Sequence, residues 1–82
     1  MKIKNNIALS ESGFVFNPNT GESFTLNEAG IEIFTMLRQE MDNEDILGVL
    51  LEKFDIDRDI AEKDLDDFIH NLQTYQFLES DE

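Results

Sequence analysis

Cysteine is absent from this sequence, proline and histidine occur once each, and basic residues number 6 against 19 aspartates and glutamates. Without cysteine there is no disulfide, thiolate zinc site, iron–sulfur cluster or cysteine nucleophile. The formal charge of -13 would be repelled by a duplex phosphate backbone or an anionic lipid surface, so neither nucleic acid nor membrane is an expected partner. Long apolar runs are missing too. The longest, Ile46 to Leu51, already contains Gly48 and falls far short of the roughly 20 residues a membrane span needs. The start, Met1-Lys2-Ile3-Lys4-Asn5-Asn6, lacks the apolar stretch of a signal peptide, which makes the cytoplasm the expected location. Glycines stand singly at positions 13, 21, 30 and 48, and none builds a phosphate loop. With 82 residues the chain is too short for a large enzyme core and fits one small domain, residues 1–82.

What is present suits a folded protein: 40% hydrophobic residues, 30% charged residues and seven phenylalanines lie in the globular range. The charge is unevenly placed. Residues 1–27 hold Lys2, Lys4, Glu11 and Glu22 and are neutral, whereas residues 28–82 hold 17 acids and four bases and carry the whole excess. The neutral third reads as strands: Ile7-Ala8-Leu9, Phe14-Val15-Phe16 and Ser23-Phe24-Thr25-Leu26 are short, β-branched or aromatic, and bounded by turn residues. Glu11-Ser12-Gly13 supplies a tight first turn. Asn17-Pro18-Asn19-Thr20-Gly21 supplies a second, with Pro where φ near -65° is wanted and Gly where φ becomes positive. Phe14 and Phe16 share one face, as do Phe24 and Leu26, which offers a buried side.

Thr25-Leu26-Asn27-Glu28 fits a capping box, with Asn27 as a rival cap one step later, and Ile31, Phe34, Met36, Leu37 and Met41 recur behind it at helical spacing. A first helix is expected over about 28–41. Asp42 or Asn43 can cap a second helix carrying Ile46, Leu47, Leu50, Leu51 and Phe54, and Asp55-Ile56-Asp57 interrupts the pattern. A third helix begins near Arg58. Advancing about 100° per residue from Ala61 places Leu65, Phe68, Ile69, Leu72 and Tyr75 between about -40° and +80°, a stripe fit for a core, with His70 opposite. The expected class is α+β: a three-stranded antiparallel sheet followed by three helices.

Catalytic and metal chemistry find little support. Asp55-x-Asp57-x-Asp59 begins like a calcium loop, but Ile60 stands where Gly is required, and Lys63 and Asp66 occupy the later ligand positions. Those acids are better explained as capping the third helix and stabilising its positive end, each by some tenths of a kcal/mol. A single histidine on a polar helix face reads as solvated. Carboxylates are plentiful, yet no expected deep pocket would set one pKa apart from its neighbours. A binding protein without metal or cofactor is expected, not an enzyme.

The order of three strands and three helices resembles a known family, as does the step from Ser23-Phe24-Thr25-Leu26 into Asn27-Glu28-Ala29-Gly30. So do the stretch from Asp64-Leu65 through Phe68-Ile69 to Leu72 and the following Phe77-Leu78-Glu79. The chain is similar over nearly its whole length to PqqD-like proteins. That resemblance implies a winged helix-turn-helix-like fold and a role as recognition element for ribosomally made, post-translationally modified peptides. It further implies partners: a precursor's leader segment, and a separate tailoring enzyme such as a radical-SAM enzyme, or a leader peptidase.

A three-stranded sheet has two edges, and an extended peptide can complete either as an added strand. The resemblance points to the third strand. Glu22, Ser23, Phe24, Thr25 and Leu26 would then supply main-chain hydrogen bonds, and the third helix the other wall of a cleft. On that helix Phe68 and Tyr75 lie at one margin of the apolar stripe, beside Asp64, Asp67 and Asn71, and the acidic excess favours a basic guest. Two other readings remain open from sequence: a winged-helix regulator, disfavoured because Arg58 and Lys63 are the only bases on the third helix, and an acidic scaffold docking one protein. A monomer or weak dimer is expected, since the exposed edge can pair with itself.

Overall fold

The computed structural model of the chain describes residues 2–79. Three strands come first: β1 (Ala8–Leu9), β2 (Phe14–Phe16) and β3 (Ser23–Thr25). They form an antiparallel sheet in the order β1-β2-β3, with Leu9 opposite Val15 and Val15 opposite Phe24. Three helices follow, α1 (Glu28–Arg38), α2 (Asn43–Lys53) and α3 (Arg58–Thr74), giving the α+β, winged helix-turn-helix-like arrangement. No helix among the described residues is long and apolar enough to cross a membrane.

Local chemistry accounts for the punctuation. Gly13 closes the first hairpin at φ +91°, where a Cβ would come within 2.8 Å of the Leu26 carbonyl oxygen, so only glycine fits both the backbone and the space. Gly21 ends the second turn at φ +81°. Of the two rival caps for α1, Asn27 is the one used: its Oδ1 accepts from the Gly30 amide at 2.8 Å. Asp42 caps α2 by accepting from the Asp45 amide at 2.9 Å. Asp57 occupies the cap position of α3 but makes no side-chain cap bond, so the expected capping by the acids around Arg58 reduces to charge near the helix start.

α1 stops three residues short of the expected end. Glu40 turns into the left-handed region at φ 61°; its amide donates to the Leu37 carbonyl at 2.9 Å and that of Met41 to Met36 at 3.2 Å. α3 ends the same way: Gln76 has φ 65°, and the amides of Gln76 and Phe77 donate to Gln73 and Leu72 at 3.1 and 2.8 Å. Both ends are Schellman motifs, which usually announce themselves with glycine and here do not.

One core joins all the elements. Val15 from the sheet packs with Phe34 and Leu37 of α1, Ile46 and Leu50 of α2, Leu65, Ile69 and Leu72 of α3, and Phe77 beyond it. The expectation that Phe14 and Phe16 face a buried side is corrected: Phe14 is 45% exposed and Phe16 37%, while Val15 between them is fully buried. A strand alternates its faces, and the helices cover the side that bears Val15. Tyr75, expected on the core stripe, is likewise exposed because α3 ends just before it. His70 is solvent-facing, as its helical angle implied.

Candidate functional site

The register of the second hairpin decides which atoms of β3 look outward. The Asn17 amide donates to the Glu22 carbonyl at 2.9 Å and the Leu26 amide to the Gly13 carbonyl at 2.7 Å. Antiparallel ladders alternate bonded and non-bonded pairs, so with Val15 opposite Phe24, Glu22, Phe24 and Leu26 direct their main chain at β2. Ser23 and Thr25 therefore direct theirs away from the sheet, and no hydrogen bond among the described residues reaches them there. β3 is an open edge presenting two residues' worth of donors and acceptors.

That edge borders a cleft whose far wall is α3. Its first chamber, about 240 Å³, is lined by Phe24, Thr25 and Leu26 from β3 and its end, Asn27 and Gly30 at the start of α1, and Phe68, Asn71 and Leu72 of α3. The second, about 310 Å³, shares Asn27, Gly30, Phe68 and Asn71 and adds Ala29, Ile33, Asp64 and Asp67. The two run together as one groove that is apolar near Leu72 and acidic near Asp64. Gly30 lies on its floor, where a Cβ would sit 3.2 Å from both Asn27 Oδ1 and the Leu26 side chain.

An aromatic cluster closes the apolar end. The Tyr75 ring meets Phe24 edge-on at 4.9 Å between centroids, and Phe77 lies tilted against the same ring at 5.3 Å. The turn carrying Tyr75 and Phe77 is tied to the β2–β3 hairpin by Asn17, the one buried polar residue among the described residues. Its Nδ2 donates to the Gln76 carbonyl at 3.0 Å, while its Oδ1 accepts from the Asn19 amide at 3.0 Å. At the acidic end, Lys63 Nζ pairs with Asp67 Oδ2 at 3.0 Å in the open. That hydrogen bond, helped by the nearby charges of Asp67 and Asp64, holds the lysine's pKa above its ordinary value, and among the described residues Asp64 makes no ion pair of its own.

Of the expected site residues, Phe24, Thr25, Leu26, Asp64, Asp67, Phe68 and Asn71 meet around the cleft, and Tyr75 stands at its end. Ser23 contributes main chain along the open edge. Glu22 lies where its main chain is turned toward β2. Sequence reasoning did not mark Asn27, Ala29, Gly30, Ile33 and Leu72 as lining residues. The available signal was Gly30, a poor helix former in the first turn of a helix, which commonly marks a close approach.

Comparisons with known proteins agree with this geometry. The family described as coenzyme PQQ synthesis protein D (PqqD) matches residues 13–78. Among solved structures, "TbiB1 in Complex with the TbiA(beta) Leader Peptide" is 28% identical, superposes with a TM-score of 0.86, and is matched over 98% of this chain and 96% of its own. "Lasso peptide synthetase B1 complexed with the leader peptide" shares the fold at 20% identity and a TM-score of 0.78, over 94% of this chain and 93% of its own. No curated protein sequence matches.

Proposed function

The chain belongs to the PqqD family, and on that premise we propose that it is a peptide-recognition protein that holds the leader segment of a ribosomally made precursor and presents the remainder to a separate tailoring enzyme or leader peptidase. The observation that carries this reading is the open edge of β3 lying over a cleft. A guest strand beside β3 would pair with the outward main chain of Ser23 and Thr25, and its inward side chains would enter the groove between Phe24 and Phe68. An apolar guest residue suits the chamber near Leu72, and a lysine or arginine suits Asp64 and Asp67. Glu22 and Tyr75 bound the site at its ends.

The tailoring chemistry belongs to the partner. This reading is supported by the absence of cysteine and by the position of the only imidazole, His70, in solvent. The whole chain acts as one recognition domain in the cytoplasm; residues 1 and 80–82 of that domain lie outside the described residues.

The test is a photo-cross-linking side chain, p-benzoylphenylalanine, in place of Phe68 in the cells that make the protein, followed by synthesis and titration of the captured peptide. Amide exchange at Ser23 and Thr25 should slow on binding. Capture of no peptide, or a bound peptide that leaves those two amides exchanging freely, would refute strand addition at this edge.

A further inference from the structure

Among the described residues Asn17 is the one polar side chain that the core encloses, 0% exposed, and the hairpin turn it begins accounts for only part of its bonding. Its amide donates to the Glu22 carbonyl at 2.9 Å and its carbonyl accepts from the Gly21 amide at 2.8 Å, which closes the turn. Its Oδ1 accepts from the Asn19 amide, a local bond that aspartate, serine or threonine makes as well. Its Nδ2 does something the turn does not need. It donates at 3.0 Å to the carbonyl of Gln76, 59 residues on. A carbonyl only accepts and a main-chain amide only donates, so the two partners fix which end of the side chain is which. No other hydrogen bond among the described residues reaches that carbonyl, and no other joins the β2–β3 hairpin to the turn after α3.

Gln76 stands between Tyr75 and Phe77, whose rings both rest on Phe24 of β3. Phe24 in turn lines the first chamber of the cleft with Phe68 and Leu72 of α3. No hydrogen bond among the described residues runs from β3 to α3, so hydrogen bonding ties the two walls only past the end of α3, through Asn17. We propose that Asn17 is the positioning residue of this site: by fixing the Gln76 carbonyl it holds Tyr75 and Phe77 against Phe24 and so sets the gap between β3 and α3 before a guest arrives. The proposal deepens the peptide-binding reading above and rests on it. Asn17 lines neither chamber; what it does for the guest it does through those rings. A gap already set spares the guest the cost of ordering its walls, which is how preorganised sites gain affinity.

Tyr75 is the only tyrosine and the chain has no tryptophan, so near-ultraviolet dichroism in the tyrosine band reads that ring's seat on Phe24. The test variant is Asn17→Ser, which keeps an oxygen for the Asn19 amide and falls short of Gln76. The control is Arg38→Met, which removes the donor to the Ile7 carbonyl and touches neither chamber. The probe is the peptide captured by p-benzoylphenylalanine at Phe68, synthesised and titrated well below each variant's melting temperature. Asn17→Ser should keep the parent's far-ultraviolet spectrum, lose most of the tyrosine dichroism and bind the peptide about tenfold more weakly. Arg38→Met should melt earlier and change neither the tyrosine band nor the affinity. Parental affinity in folded Asn17→Ser, a parental tyrosine band beside weakened binding, or an equal loss of affinity in Arg38→Met overturns the proposal. A second measurement needs only the parent: the side-chain amide protons of Asn17 should exchange slowly in the free protein and remain slow when the peptide binds. Fast exchange that slows only with peptide means the guest sets the gap, and overturns the proposal even where Asn17→Ser does not fold. Each of these results leaves the peptide-binding reading standing, whereas no peptide captured at Phe68 overturns both.

Discussion

The two edges of the sheet carry the same main-chain chemistry and meet different surroundings. Beside β1, the Ile7 carbonyl accepts a hydrogen bond from the Arg38 guanidinium at the end of α1, and that guanidinium also lies over the Phe34 ring at 5.1 Å from its centroid. Lys2 to Lys4 are paired in turn with Phe77 to Glu79, through Lys4 amide to Phe77 carbonyl at 3.0 Å and Glu79 amide to Lys2 carbonyl at 2.8 Å. Beside β3, nothing described occupies the outward atoms of Ser23 and Thr25. An unprotected edge invites unwanted pairing, and among the described residues the Arg38 guanidinium reaches the main chain at the start of β1 whereas no hydrogen bond reaches the outward atoms of Ser23 and Thr25 above the groove.

The largest effect should come from Phe24→Pro, which removes a donor aimed at β2 together with a ring packed on Tyr75 and Phe77. A loss of about 3 kcal/mol or more is expected in denaturant unfolding. Ser23→Pro and Thr25→Pro, whose amides face outward, should melt within a few degrees of the parent; equal damage from all three prolines would break the distinction between inward and outward residues. Next in size is Arg38→Met, which leaves the Ile7 carbonyl without its donor and should lower stability by about 1–3 kcal/mol with no change in peptide affinity, as judged by melts and titration on one sample. The outward prolines should instead weaken the captured peptide about tenfold, equivalent to about 1.4 kcal/mol.

Salt gives the smallest effects, with opposite signs. Screening of the acids in residues 28–82 should raise the melting temperature from low to moderate sodium chloride, while affinity for a peptide that places a basic residue at Asp64 falls. A salt-independent affinity would remove Asp64 and Asp67 from the site. Raising the pH should leave the Lys63–Asp67 pair intact until the ordinary lysine value of 10.5 is passed. The folded-state pKa is the higher one, so the pair's small contribution is complete below the unfolded value and vanishes as pH climbs through the folded one. A melting-temperature series from neutral to strongly alkaline pH, compared with Asp67→Asn, checks the sign.

Much of this molecule was legible in the chain because the signals are local. Strands alternate over neighbouring residues, helices repeat over three or four, and Asn27 and Asp42 cap helices whose amides lie three residues away. The start of α3 and the outward position of His70 follow from the same short-range arithmetic. The resemblance pointed to β3 as the edge, and helical periodicity put Phe68 and Tyr75 beside Asp64, Asp67 and Asn71 on α3; composition alone pointed only to a binding protein.

Where local signals were silent, tertiary structure decided. The end of α1 was overread because its left-handed turn uses Glu40 instead of glycine, a substitution that the packing around Met41 has to sustain. Periodicity put Phe14 and Phe16 on one face of a strand, but only the helices packed against Val15 settled that this face is the outer one. The parity of β3 depended on a register fixed by pairing with β2. The sequence by itself determined the elements and their order, since each depends on contacts within a few residues. Which edge stays open, and which face meets solvent, was decided by what lies across the fold, where distances along the chain, such as the 59 residues between Asn17 and Gln76, carry no periodic trace.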